Sequence, residues 1–205
     1  MTRGVFIAFE GIDGCGKSTT ARTTAERIRA SGRSCLLTEE PTDGPIGRSI
    51  RLILAKQAPM VEPFALQRLF VRDRRDHIER IILPALQEGT TVVSDRYWLS
   101  TVAYGMLNDP LEKLIALHEE VLGNAFLRPD KTFLLDLDPA VALERMRHSR
   151  TTLTHFERIE KLTRIRENYR AIVRAGIETV TMVNAAMSPQ GVAETIGREL
   201  KPLLR

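Results

Sequence analysis

Short apolar runs alternate along the chain with stretches whose apolar residues recur at helical spacing. Gly, Pro or a polar cluster marks each change of period. Val5-Phe6-Ile7-Ala8-Phe9 is an uninterrupted apolar run of buried-strand length, and the segments 34–38, 90–94, 131–137 and 179–183 read as further strands. Helices are predicted at 20–30, which holds helix formers without Gly or Pro, and at 46–54, where Ile46, Ile50, Ile53 and Leu54 share a face. A long arginine-rich helix is expected over 63–86, with Pro63 in its first turn and Pro84 tolerating at most a kink or a late break. Helical pattern returns up to Tyr104 and over 110–122, 140–146, 156–175 and 189–200. Strands alternating with helices in this way call for a three-layer α/β fold, a five-stranded parallel sheet flanked by helices. In such sheets ligands bind at the carboxyl ends of the strands, so chemistry is sought in the residues that follow each strand.

At 205 residues the chain suits one domain, 1–205, large enough to bury a substantial core. With 43% hydrophobic and 27% charged residues and no apolar stretch of membrane length, it reads as a globular, cytoplasmic protein without a membrane partner. Its two cysteines, Cys15 and Cys35, form no C-x-x-C and are too few for a disulfide framework. The net charge of +4 comes from arginines spread over most helices, with no run of five or more like charges. Charge alone does not discriminate between a nucleic acid and small polyanionic nucleotides, which need the same surplus; with the motifs that follow, no nucleic-acid partner is expected.

The first strand runs into GIDGCGKST, in which Gly11, Gly16, Lys17 and Ser18 complete the pattern G-x-x-x-x-G-K-[ST]. Its glycines let backbone N–H groups turn inward around phosphate oxygens, and the following helix aims its N-terminus at the anion. Lys17 brings a positive charge to the β/γ-phosphates and Ser18 offers a hydroxyl to Mg²⁺. Strand, glycine loop and helix stand in the order this motif requires, which predicts a P-loop NTPase fold. The loop residues Gly11, Asp13, Gly14, Cys15, Gly16, Lys17, Ser18 and Thr19 are the expected ATP contacts.

Four further clusters, taken with this loop, resemble the thymidylate kinase family over essentially the whole chain. They are the acidic-Pro loop Leu37-Thr38-Glu39-Glu40-Pro41 after the second strand, Phe70-Val71-Arg72-Asp73-Arg74-Arg75-Asp76-His77, the stretch Ser94-Asp95-Arg96-Tyr97 with Ser100 and Ala103-Tyr104 behind it, and Arg128-Pro129-Asp130-Lys131-Thr132 with Leu135-Asp136-Leu137-Asp138-Pro139. The resemblance implies transfer of the ATP γ-phosphoryl group to dTMP, giving dTDP and ADP for dTTP synthesis, with Mg²⁺ as cofactor and a homodimer whose surface includes the 63–86 helix. It implies an acceptor site made of Asp13, Glu40, Pro41, Arg51, Phe70, Arg74, Arg96, Ser100 and Tyr104. Phe70 would stack the base, Arg74 would reach a base carbonyl, Arg96 and Arg51 would clamp the acceptor phosphate, and Tyr104 would lie near the deoxyribose. Asp95 would stand near Mg²⁺ beside Ser18.

Phosphoryl transfer needs a cation where charge builds up, and the variable loop positions Ile12, Asp13, Gly14 and Cys15 supply none. The expected source is a lid segment at about 145–156, with Arg150 first, Arg147 second and Arg145 packing on the adenine. Two positions depart from the family pattern: Glu39 stands where Arg is common, and Gly105 follows Tyr104 where many members carry Gln. The rival readings are a kinase for another pyrimidine nucleotide or nucleoside, and a P-loop ATPase or nucleotide switch without a small-molecule acceptor. A guanine-reading N-K-x-D does not occur in the sequence.

Overall fold

The structure is a computed structural model that describes residues 3–149 and 159–204, without the side chains of 147–149. Five parallel strands, β1 (Phe6–Glu10), β2 (Cys35–Glu39), β3 (Thr91–Asp95), β4 (Lys131–Asp136) and β5 (Val180–Asn184), lie in the order β2-β3-β1-β4-β5. The first strand is therefore central, and the chain builds outward from it on both sides. β1 and β3 are buried at every position, as continuous apolar runs in a sheet covered on both faces must be. Phe9 stacks on Phe133 of the neighbouring β4 at 5.3 Å between ring centroids, which fills the middle of the core.

The helices are α1 (Lys17–Ala30), α2 (Pro45–Leu54), α3 (Pro63–His77), α4 (Leu83–Gln87), α5 (Trp98–Gly105), α6 (Leu111–Leu122), α7 (Pro139–Ser149), α8 (Ile159–Arg174) and α9 (Pro189–Leu200). The long helix expected over 63–86 is divided. Between α3 and α4 the residues Ile78–Ile82 form a π-helical turn, in which the Leu83 N–H donates to the Ile78 carbonyl. Pro84 has no N–H to give and its ring crowds the carbonyl one turn back, so the wider turn ahead of it takes up the mismatch.

Four strands start and end one residue later than the apolar runs suggest, because polar residues at their carboxyl ends pair in register. Glu39 stands opposite Asp95, and Asp136 opposite Asn184. These polar ends put carboxylates on one rim of the sheet. No helix among the described residues is long and apolar enough to cross a membrane.

Candidate active site

The loop after β1 turns through left-handed glycines into α1. Gly16, at φ 96°, is the N-cap, and at Gly14, φ 79°, a Cβ would collide with the carbonyl of Ala142 on α7. Lys17 is only 5% exposed, and its ammonium folds back to donate to the Ile12 carbonyl at 2.8 Å. Ser18 Oγ donates to Asp95 Oδ2 at 2.5 Å across the sheet end, while Asp95 Oδ1 is buried without a hydrogen-bond partner. Gly11 and Cys15 do not line the cleft: Cys15 is buried under the loop, and a Cβ at Gly11 would lie 2.9 Å from its sulfur. Burial pushes the Cys15 thiol up, against the pull of Lys17.

Facing the loop, Arg96 follows β3 in a left-handed conformation, φ 70°, which a residue with a Cβ adopts only where surrounding structure imposes it. The turn swings its guanidinium into the cleft. There Nη2 pairs with Asp13, Nη1 donates to Ser100 Oγ at 3.1 Å, and the group lies 5.4 Å from the centre of the Tyr104 ring. Tyr104 OH in turn donates to Asp13 Oδ2 at 3.2 Å. Asp13, Arg96, Ser100 and Tyr104, drawn from two separate sequence segments, thus form one connected unit.

Behind it lies Glu10, the last residue of β1, fully buried and absent from the sequence expectations. Its Oε1 accepts from the backbone N–H groups of Tyr97 and Ser100 at 3.0 and 3.2 Å, and its Oε2 from Ser100 Oγ and Tyr169 OH at 2.5 and 3.1 Å. Burial pushes the carboxyl up to about 7, although these bonds and the charges of Arg96 and Arg74 oppose the shift.

On α3, Arg74 is 1% exposed and tightly held. Its Nε and Nη2 donate to Glu40 Oε2 at 3.0 and 2.5 Å, and Nη2 also to Thr101 Oγ1 at 3.0 Å. Its Nη1 donates to His118 Nε2 at 2.9 Å. An arginine cannot accept, so His118 must be the tautomer whose Nδ1–H donates to the Leu114 carbonyl at 2.7 Å. Burial, reinforced by the Arg74 charge, presses His118 down to about 3 and keeps it neutral. Glu40 meets the same burial, yet Arg74 and His77 overcome it and hold the carboxyl below its ordinary value. Of the five N–H donors of a guanidinium, this network leaves one on Nη1. His77 is buried in the same network: its Nδ1 meets Glu40 Oε1 at 3.0 Å and its Nε2 meets Thr38 Oγ1 at 2.7 Å.

Glu39, which stands where Arg is common in the family pattern, pairs with Arg51 at 3.0 Å. Arg51 also donates to the Pro41 carbonyl and reaches Asp43 at 3.4 Å, and its Nε is buried without a partner. Asp73 accepts from the backbone N–H and hydroxyl of Thr42 at 2.7 and 2.6 Å, which ties the acidic-Pro loop to α3.

Part of this set borders a cleft of about 860 Å³ at the carboxyl rim, in the upper range for a small-molecule site. Its wall carries Asp13, Gly14, Gly16, Lys17, Ser18 and Thr19 on the loop side and Glu40, Pro41, Arg51, Phe70, Arg74, Ser100 and Tyr104 on the other. Asp95 and Arg96 lie between, and Arg145, whose guanidinium donates to the Ala185 carbonyl at 3.2 Å, closes the α7 side. Gln67 and Thr101 line it too and were not foreseen, although Gln67 stands one turn before Phe70 on the same face of α3. Arg150 lies outside the described residues, as does the predicted lid from 150 to 156, and so does the side chain of Arg147.

The description "Thymidylate kinase" belongs to the family model that matches residues 9–196. A probable thymidylate kinase of Pyrococcus horikoshii is 38% identical over 95% of this chain and 94% of its own length. Thymidylate kinases of Xylella fastidiosa strain M12 and Xanthomonas euvesicatoria are 39% and 40% identical over 82% and 86% of the chain, and over 75% and 76% of theirs. On these matches, and with the loop, the acidic-Pro segment and the Asp95-Arg96 turn meeting at one cleft, the chain belongs to the thymidylate kinase family.

Proposed function

We infer that the chain carries out its family's reaction, transfer of the γ-phosphoryl group of ATP to dTMP. The observation that carries this reading is the opposition, across one cleft, of a phosphate loop and an arginine held by Asp13, Ser100 and Tyr104. Such a reaction asks a protein mainly to align two anions and neutralise the charge between them. The loop amides and Lys17 bind the donor phosphates. Arg96, releasing Asp13, takes the acceptor phosphate in its planar fork, and Arg51 stands by from α2. Phe70 offers its ring to the base, and Arg74 keeps one N–H for a base carbonyl.

Mg²⁺ suits the donor set. Ser18 Oγ and Asp95 lie side by side, Asp95 Oδ1 is a buried oxygen without a partner, and Mg²⁺ is usually held by one or two carboxylates together with substrate phosphates. Bound there, the ion would neutralise charge on the donor phosphates.

The catalytic cation is assigned to Arg150, then Arg147, on the sequence alone. Arg150→Ala should lower kcat by roughly 10³-fold while ATP affinity holds, because the contact belongs to the transition state; near wild-type turnover in both single variants and the double would remove the assignment. The same reading carries a cytoplasmic setting and a homodimer using the α3–α4 face, where Ile81 and Leu83 are exposed; light scattering on the purified chain tests the dimer. The central test is ADP release across all common nucleoside monophosphates. dTMP should be preferred, whereas ATP hydrolysis indifferent to the acceptor would favour a nucleotide switch and overturn the reading.

A further inference from the structure

Gln67 lies on α3 at the spacing i, i+3, i+7 with Phe70 and Arg74, so the three present one face to the cleft. It is 6% exposed, and its Oε1 is buried without a hydrogen-bond partner. A buried amide left unpaired costs stability, and an apolar side chain of the same size would fill the position better. At Gly105 of α5 a Cβ would lie 2.6 Å from a Leu114 methyl, so the bare backbone there makes room for Leu114, while at 3.4 Å it would only touch the Gln67 amide carbon.

The neighbouring polar groups are already committed. Arg74 only donates; both Glu40 oxygens accept from Arg74 or meet His77, and Thr101 Oγ1 accepts from Arg74. The edge of a pyrimidine-2,4-dione needs donors for its carbonyls and one acceptor for the N3–H between them. Gln67 supplies both in one planar group, and which end of the amide accepts is set by what it meets.

We propose that Gln67 reads the base of the phosphate acceptor: its carboxamide accepts the N3–H and donates to an adjacent carbonyl, while Arg74 serves the other carbonyl. With Gln67 on the N3–H and the 2-carbonyl, the fixed donor of Arg74 meets the 4-carbonyl and turns the site against a cytosine, which carries an amino group there. The inference rests on the acceptor being a thymine or uracil nucleotide.

The test compares wild type, Gln67→Met and Gln67→Leu with dTMP, N3-methyl-dTMP and ATP as varied substrates. Both variants should raise KM for dTMP about tenfold or more, with kcat within about threefold and KM for ATP unchanged. The preference of wild type for dTMP over N3-methyl-dTMP should shrink by the same factor, since the methylated base has no N3–H to lose. Without ligand, the Met variant should melt no lower than wild type, because it removes an unpaired amide. An unchanged KM for dTMP, or equal losses on dTMP and its N3-methyl analogue, would overturn the proposal and mark Gln67 as a spacer. If wild type prefers an acceptor without an N3–H, such as dCMP, the functional reading falls and this inference with it; if dTMP is preferred and the variants still match wild type, only the inference falls.

Discussion

Arg96 shows how one residue carries both a local cost and a role. Its φ of 70° is a conformation that an L-residue with a Cβ occupies at about 1–2 kcal/mol, yet it is the turn that brings the guanidinium beside Asp13 and Ser100. Replacement by Gly and by Ala removes the same guanidinium, so phosphoryl transfer should fall equally in both variants. The two differ only in the backbone. Arg96→Gly should therefore be more stable than Arg96→Ala by about 1 kcal/mol, or about 2–4 °C in Tm for a chain of this size. Thermal melts of the two variants decide it: equal melting temperatures would mean that the turn is not strained.

At the scale of elements, what could be read from the sequence was whatever is periodic or contiguous. The five strands, the helix order and the phosphate loop follow from apolar runs, 3.6-residue spacing and an eight-residue motif, and the structure has them in place. The π turn at Ile78–Ile82 was not legible, because a widened turn keeps the same apolar pattern and Pro84 alone does not say where the ladder yields. The site divides in the same way. Glu40, Phe70, Arg74, Arg96 and Tyr104 were found as members of short local clusters, and all line the cleft. His118 and Tyr169 belong to the same polar networks but arrive from α6 and α8, with no sequence neighbour to mark them. Burial also altered what a named residue does. Arg74 was expected as a free reader of the base, yet most of its donors are spent joining Glu40, Thr101 and His118, so that α3, α5 and α6 meet around one guanidinium.

For the molecule as a whole, Glu10 is the point where the sheet and the two helices covering the site are joined. One carboxyl at the end of β1 takes the N-terminal backbone of α5, the hydroxyl of Ser100 and the phenol of Tyr169 on α8, within reach of the Arg96 and Arg74 charges. Burial holds it at about 7 instead of 4.5, so between these values the folded chain keeps a proton that the unfolded chain has released. Stability must then fall as pH rises through that window, since unfolding releases the proton. The favourable contribution is complete below about 4.5 and gone above about 7, and its full size is on the order of 3 kcal/mol. Glu40 works in the opposite sense, because its lowered carboxyl adds stability that is lost on acidification. The wild-type profile sums the two, and only a difference isolates Glu10. Glu10→Gln keeps the shape and cannot titrate, although its NH2 must donate where one carboxyl oxygen accepts from Ser100 and Tyr169. Melting curves for both proteins from pH 4.5 to 8 should converge or cross, with wild type losing several degrees relative to the variant as the pH rises. Parallel profiles would show that Glu10 holds the same charge folded and unfolded. Its hydrogen bonds would then have offset the burial in full, and the junction of β1, α5 and α8 would be insensitive to pH.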